Sequence, residues 1–351
     1  MPSERLSSLQ MLIIGPIAPP QWGPAVKNRI MLDTFVRWHI DIIPINTLLW
    51  KVSPFGFLVD LVKKVIKTRR VIVSVSRNGR FVLLPLLSII GIFCRIHIAL
   101  LPAGGGFARE LDSLPGFIRW LYVRILRHLD LVCVQRMELA EQLRSLGIPM
   151  PVVMPNFRKR PTEIPQKFPY QFPQLLFISR IRAVKGVELL LDALDLLFGK
   201  GINFSIDFYG IVQPDYKPNF KKTLENRSYA SYQGVLDYDE VISAISSYDI
   251  MVFPTRWLEE GFPGVLADAA IAGLPVVASD VPSNREIIDN GYNGLLFQSG
   301  NPIDLAEKIE LLLKNHELRR KMGNNNRVKG RAYDVDVVLR RFLDKLIALG
   351  W

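Results

Sequence analysis

Twelve short apolar runs punctuate this chain, each followed by a turn and most by helical periodicity. The first six are "MLIIG" (11–15), "HIDIIPIN" (39–46), "RVIVSVS" (70–76), "IHIALLP" (96–102), "DLVCVQ" (130–135) and "PVVMPN" (151–156). The second six are "QLLFISR" (174–180), "NFSIDFYG" (203–210), "SYQGV" (231–235), "DIMVFPT" (249–255), "LPVVASD" (274–280) and "GLLF" (294–297). A strand that is apolar along its whole length is covered on both faces, and regular alternation with helices is the pattern of parallel βαβ units. Between the two series lies "PNFRKRPTEIPQKFPYQFP" (155–173), a proline-rich, charged stretch that reads as a linker. The expected class is therefore α/β, with two Rossmann-like parallel-sheet domains at 1–157 and 174–330. A linker at 158–173 joins them, and they face each other across a cleft toward which the strand C-terminal ends point. A terminal helical segment, 331–351, is expected to return to the first domain. At 351 residues the chain is long enough to bury two such cores.

Charge is unevenly distributed. The formal net charge is +11, and up to Arg158 there are 20 Lys and Arg against 9 Asp and Glu, whereas beyond it the two classes balance at 24 each. Such asymmetry predicts an anionic partner for the first half, nucleic acid or a membrane surface. No nucleic-acid reading motif accompanies the charge. Two stretches favour a membrane. "PFGFLVDLVKKVIKTRR" (54–70) places Phe57, Leu58, Leu61, Val62, Val65 and Ile66 at helical spacing with lysines and arginines elsewhere, and "GFIRWLYVRILRH" (116–128) interleaves Arg119, Arg124 and Arg127 with Trp120, Leu121 and Tyr122. Basic amphipathic helices with aromatic anchors suit an anionic lipid interface, core-facing helices with solvated lysines being the plain alternative.

A membrane span is not expected. The apolar stretch from Phe81 to Leu101 contains Pro85, Gly91, Arg95 and His97, whereas a span needs about 20 apolar residues without central charge. A buried helix ending near Cys94, followed by a buried strand, accounts for it. A secretory signal is not expected either, because Glu4 and Arg5 precede only the short run "MLIIG". Cys94 and Cys133, both in apolar stretches, are expected as buried thiols in a reducing compartment.

Chemistry should reside in the loops after strands. "FISRIRAVKG" follows the first strand of the second series and sets Arg180 and Lys185 five residues apart, ahead of a helix. Two cations there suit neutralisation of a diphosphate, although a pair of surface cations would look the same. In "RWLEEGFPGVLADAAIAGLPVVASD" (256–280), Pro263 stands where a helix begins. The backbone amides of Gly264, Val265 and Leu266 then point at an anion, at the positive end of the helix. Glu260 and Asp268, eight residues apart, would be repelled by phosphate. They are expected to accept from hydroxyls, Asp268 from a ribose and Glu260 from the group beyond the phosphates. Diphosphate, ribose and polyol together describe a nucleotide sugar.

These stretches resemble glycosyltransferase family 4, the group 1 retaining enzymes of the GT-B fold. "FISRIRAVKG" is similar to the family's Arg-x₄-Lys-Gly loop, and "EGFPGVLADAAIAGLPVVASD" to its Glu-x₇-Glu signature. "IDFYG", "YQGVLDYDEVISAISSYDIMVFPT" and "REIIDNGYNGLLF" agree with it. In the first half "IGPIAPPQWGPAVKNR" looks like the glycine loop after the first strand, and "MPNF" like the start of the interdomain crossover. The resemblance covers most of the chain and is most specific from Leu175 to Phe297. It implies that Arg180 and Lys185 grip the donor diphosphate and, with Glu260 on the transferred sugar, form the catalytic group. It implies donor-binding roles for Gly23, Phe262, Pro263, Gly264, Val265 and Leu266, and for Asp268, which stands at the family's second glutamate. Being one methylene shorter, Asp268 implies a longer or water-mediated ribose contact.

A second departure lies in "LLPAGGGFARE" (100–110), where many members carry a histidine; His97 lies earlier, inside the strand. Gly104, Gly105 and Gly106 permit close backbone approach, and Arg109 suits a phosphate-bearing acceptor. A glycine-rich turn without a binding role remains the plain alternative.

The resulting expectation is a retaining, metal-independent glycosyltransferase with no cofactor beyond the nucleotide-diphosphate sugar it consumes. No carboxylate pair suited to double displacement is evident. The motif "DVD" (334–336) lies in the terminal helical region, so no Asp-x-Asp stands in a cleft loop. The expected acceptor is lipid-linked or a growing polysaccharide, the surface partner an anionic membrane, and the location cytoplasmic, peripheral on the inner face of the cell membrane. Nucleic acid is not an expected partner. A nucleotide-sugar epimerase of the same architecture and a non-catalytic sugar-nucleotide-binding subunit are the alternatives.

Overall fold

Within β1 (Met11–Gly15), Leu12 and Ile14 bury on one face of the sheet while Met11 and Ile13 bury on the other. A period of two divides one apolar run between two cores. The second unit repeats the device, with Leu175 and Phe177 on one side of β7 (Gln174–Ile178) and Leu176 and Ile178 on the other. The structure is a computed structural model that describes residues 10–19, 23–102, 106–149, 151–164, 171–258 and 260–351. The chain divides into two units, Met1–Phe157 with Val335–Trp351, and Arg158–Asp334.

After β1 the first unit continues through α1 (Gly23–Arg37), β2 (Ile42–Asn46), α2 (Pro54–Thr68), β3 (Arg70–Val73), α3 (Arg77–Phe93) and β4 (His97–Leu100). It proceeds with α4 (Phe107–Asp112), α5 (Gly116–Arg127), β5 (Leu131–Val134), α6 (Met137–Ser145) and β6 (Val152–Val153). From β7 the second unit runs through α7 (Val187–Gly199), β8 (Ser205–Tyr209), α8 (Lys217–Leu224), β9 (Ala230–Gly234), α9 (Val241–Ile245) and β10 (Ile250–Phe253). It ends with α10 (Gly264–Ala272), β11 (Val276–Ser279), α11 (Pro282–Arg285), β12 (Gly294–Phe297), α12 (Pro302–Lys314) and α13 (His316–Gly330). The terminal α14 (Val335–Ala348) returns to the first unit, where Leu339, Phe342 and Leu346 bury against Met31 and Phe35 of α1.

Both sheets are parallel and six-stranded, in the orders β2-β1-β3-β4-β5-β6 and β12-β11-β10-β7-β8-β9. The α/β class with two Rossmann-like sheets thus holds, and every one of the twelve apolar runs contributes its strand. Each order reverses once, between β1 and β3 and between β7 and β10. Flanking connections leave a sheet in opposite directions at such a point, so a crevice opens at the strands' C-terminal ends.

Four expectations need correction. The apolar segment after Arg77 is not a buried helix: α3 buries Leu83, Leu84 and Leu87, but Val82, Ile89, Ile92 and Phe93 face outward. Pro85 sits inside it, and among the described residues no helix is long and apolar enough to cross a membrane. Tyr122 points inward, its ring 4.8 Å from Phe81, so only part of the aromatic set on α5 is exposed. Cys133 is buried, and burial pushes its thiol up to about 12, but Cys94 caps α3 and is only half-covered. The stretch read as a linker begins inside the second unit, where the Arg158 amide donates to the Tyr333 carbonyl at 2.9 Å.

Phe342→Ala opens a cavity in the core between α1, α14 and the first sheet. It is expected to lower the unfolding free energy by about 3–5 kcal/mol, read from urea denaturation.

Candidate active site

The loops after β7 and β10 meet at the switch point of the second sheet, where these strands are neighbours. Backbone contacts hold them together. The Arg256 amide donates to the Val184 carbonyl at 2.9 Å. Gly186 takes a left-handed φ of 76°, and a Cβ there would run into the Pro254 carbonyl oxygen. Only glycine satisfies both conditions. The Lys-Gly pair that closes "FISRIRAVKG" is therefore explained by a close crossing of two loops.

Between these loops is a pocket of about 280 Å³ lined by Ser179, Arg180, Arg182, Lys185, Trp257, Glu260 and the tip of α10 from Pro263 to Val265. Lys185 is buried and forms an ion pair with Glu260, while its ammonium lies 5.0 Å from the centre of the Trp257 ring. Burial holds that ammonium below the ordinary lysine range, against the pull of Glu260. The Arg182 guanidinium carbon lies over the Trp257 ring, 4.1 Å from its centre, and its Nε is buried without a hydrogen-bond partner. Neither Arg180 nor Arg182 has a carboxylate partner among the described residues. The wall thus carries three cations and one described carboxylate.

The helix tip adds to this. Pro263 precedes α10 without any side-chain cap, and the amides of Gly264 and Val265 have no partner among the described residues. The amide of Leu266 is different, because it donates to the Pro263 carbonyl at 3.0 Å. Of the three amides expected to face an anion, two are open to one. An uncapped helix tip with open amides beside arginines suits an anion.

Arg180, Lys185, Glu260, Pro263, Gly264 and Val265 all come together here. Phe262 and Leu266 belong instead to the core beneath, Phe262 with its ring 5.3 Å from Tyr333. Asp268 faces inward too. Only 4% exposed, it accepts from Arg158 Nε at 2.6 Å, so its carboxylate is engaged within the protein and not displayed to a ribose. Burial pushes its carboxyl above the usual range while Arg158 pulls the other way. An isolated buried carboxylate is too costly to keep, which is why it is found with a guanidinium. A Cβ on Gly264 would collide with that guanidinium, so Gly264 makes room for it. In the first unit, Gly23 opens α1 after β1, and Gly106 and Arg109 lie at the start of α4 after β4. Gly104 and Gly105 lie outside the described residues. His97 opens β4, with Nδ1 2.9 Å from Asp130.

Sequence reasoning missed Arg182, Trp257 and Arg158. Arg182 was visible as a third cation within "SRIRAVK", whereas Arg158 lies 110 positions from its partner and had no local signal. A larger hollow of about 580 Å³ lies at the N-terminal ends of β10 and β11 of the same sheet, beside Asp249 and Pro275. Two of its four arginines are engaged: Arg319 donates to the Leu313 carbonyl at 2.8 Å, and Arg320 pairs with Glu317 at 2.9 Å. Among the described residues no three His, Cys, Asp or Glu side chains gather in a way that would hold a metal.

Residues 160–329 match the family model described as glycosyl transferases group 1. An uncharacterized glycosyltransferase of Methanocaldococcus jannaschii is 35% identical over 152 residues, 43% of this chain and 41% of that protein. The N,N'-diacetylbacillosaminyl-diphospho-undecaprenol alpha-1,3-N-acetylgalactosaminyltransferase of Campylobacter jejuni is 30% identical over 173 residues, 49% of this chain and 43% of its own length. The chain thus matches less than half the length of these curated relatives. The crystal structure of Anabaena HepE in complex with UDP and glucose superposes with a TM-score of 0.72 over 97% of this chain and 100% of that one, at 13% identity. That likeness establishes the GT-B fold.

Arg158→Met strands the buried Asp268 carboxylate and is expected to cost about 3–5 kcal/mol of stability, while Arg158→Met combined with Asp268→Leu recovers most of it. Urea denaturation of the two variants beside the parent checks this.

Proposed function

We propose, from the match of residues 160–329 to the family model described as glycosyl transferases group 1, that this chain is a retaining glycosyltransferase using a nucleotide-diphosphate sugar. One observation carries the reading: Arg180, Arg182, Lys185 and two open helix amides surround a single pocket that holds one described carboxylate. That excess of positive charge suits a diphosphate, and Glu260 at its side suits the hydroxyls of the attached sugar. The UDP and glucose named for the Anabaena structure support the donor class. The diphospho-undecaprenol in the Campylobacter enzyme's name supports a lipid-linked acceptor, and the reading extends to surface-glycan biosynthesis.

In the proposed reaction the bond from the anomeric carbon to the leaving phosphate oxygen breaks, and its electron pair stays on the diphosphate. The acceptor hydroxyl attacks from the same face, and its proton passes to the leaving diphosphate. Positive charge develops on the sugar ring and negative charge on the leaving group. Arg180, Lys185 and the amides of Gly264 and Val265 stabilise the latter. Glu260 orients the sugar and, through its ion pair, Lys185. The proposed chemistry uses no metal, because these cations supply the charge. Arg182, held against Trp257, adds a third contact to the diphosphate. Gly106 and Arg109 are kept as acceptor-side candidates. The proposed setting is the inner face of the cell membrane, with the protein cytoplasmic and peripheral on anionic lipid.

The direct test is transfer from UDP- and GDP-sugars to polyprenyl-diphosphate oligosaccharides by purified protein. Glu260→Ala and Lys185→Ala are each expected to slow transfer by at least ~10²-fold, and Arg182→Ala to raise the donor KM about tenfold. Near-normal rates in folded Glu260→Ala and Lys185→Ala variants overturn the assignment.

Donor binding also has an expected pH dependence. Lys185 grips a phosphate only when protonated, and burial holds its pKa below the ordinary value. Affinity for a nucleoside diphosphate should therefore fall with rising pH at a lower pH than an ordinary lysine dictates. Lys185→Arg should remove that alkaline loss, as read by calorimetric titration.

A further inference from the structure

In the first unit α2, α3 and α5 all bury into the same core, through Leu61 and Val65, Leu83 and Leu87, and Tyr122 and Leu126. They therefore cover one face of the sheet, while α1 and α14 cover the other. Their outward sides are apolar to an unusual degree. Phe55 on α2 is 79% exposed, Phe93 on α3 83% and Phe117 on α5 74%, with Ile92 and Trp120 beside them. Soluble monomers rarely display large side chains so densely unless the face binds something.

Cations lie among these side chains. Lys63 and Lys67 are exposed on α2, Arg95 follows α3, and Arg124 lies on α5 over the Trp120 ring at 5.6 Å. Asp60 on α2 is already neutralised by Lys64, and Asp112 at the end of α4 by Arg119 of α5. Protein interfaces are poor in lysine, and a second copy of this face would bring like charges together. Apolar and aromatic side chains mixed with Lys and Arg fit the boundary between lipid headgroups and acyl chains.

The same face contains a groove of about 650 Å³ between α3 and α5, lined mainly by Leu87, Ile89, Ile92, Ile96, Leu121 and Ile125. Its few polar groups are engaged or at the rim. Ser88 Oγ donates to the Leu84 carbonyl at 2.8 Å, and His128 Nδ1 lies 2.7 Å from the Arg124 carbonyl oxygen. The interior offers water few partners and suits hydrocarbon.

We propose that this face of the first unit docks on a bilayer containing anionic lipid, and that the α3–α5 groove takes up one acyl chain of that bilayer. The proposal deepens the membrane part of the functional reading and rests on it, but not on the donor pocket. Arg124 and Arg95 would meet headgroup phosphates while Phe93, Phe117 and Trp120 enter the apolar layer.

The test uses the full chain and vesicles of phosphatidylcholine with or without phosphatidylglycerol, the latter carrying a photoactivatable diazirine near its acyl terminus. Flotation should show binding that requires phosphatidylglycerol, and peptide mapping should locate cross-links on Ser88, Ile92, Leu121 or Ile125. Phe93→Glu with Phe117→Glu, both at exposed positions, should weaken vesicle binding at least about tenfold while leaving nucleoside diphosphate affinity unchanged. Absence of binding to anionic vesicles, or cross-links confined to other surfaces, overturns the proposal. Rates of Lys185→Ala on a soluble acceptor judge the transferase reading separately, so either can fail alone.

Discussion

The placement of the candidate site follows from burying parallel sheets on both faces. Such a sheet has no wet side on which to mount chemistry, so polar side chains are confined to the strand ends and the loops that leave them. In the second unit the order reverses between β7 and β10, and the two loops leaving those strands hold nearly all the candidate donor residues. The pocket is thus a consequence of topology. Its shape is set by how closely the loops cross, which is why Gly186 is held in the left-handed region against Pro254.

Within that pocket charge is only partly balanced. Lys185 and Glu260 satisfy each other, which lets a buried ammonium persist, whereas Arg180 and Arg182 have no carboxylate beside them among the described residues. Among the described residues this site holds more positive charge than it neutralises, which suits an anionic ligand. A few residues along α10 the opposite solution operates. Asp268 and Arg158 are both largely covered and pair at 2.6 Å, so that carboxylate serves the protein's own interior. The same residue types do different work because one pair lines a pocket and the other lies beneath it.

The first unit poses a different physical problem. Its helices α2, α3 and α5 have two apolar sides, one for the sheet and one for something outside. Hydrophobic burial alone predicts only the inner side. The outer one is mixed with lysines and arginines, and it lies in the half of the chain that holds the charge excess.

Much of this is legible in the amino-acid order. Continuous apolar runs announce the strands, because burial on both faces leaves no alternation to read, and the stretches around Arg180, Lys185, Glu260 and Pro263 announce an anion site because they are local. Other features are not legible there. Periodicity cannot tell which apolar residues of α3 meet the sheet and which face outward, since both sides look alike in one dimension. Position along the chain suggests that Leu266 offers an amide, which its own turn consumes, and that Phe262 lines a pocket, which it underlies. Sequence by itself determined the class, the number of strands and the loops that carry charge, all of which depend on near neighbours. Tertiary structure alone decided that Arg158 claims Asp268 and that Arg182 lies on Trp257, because those pairings join residues brought together only when separate elements fold onto one core.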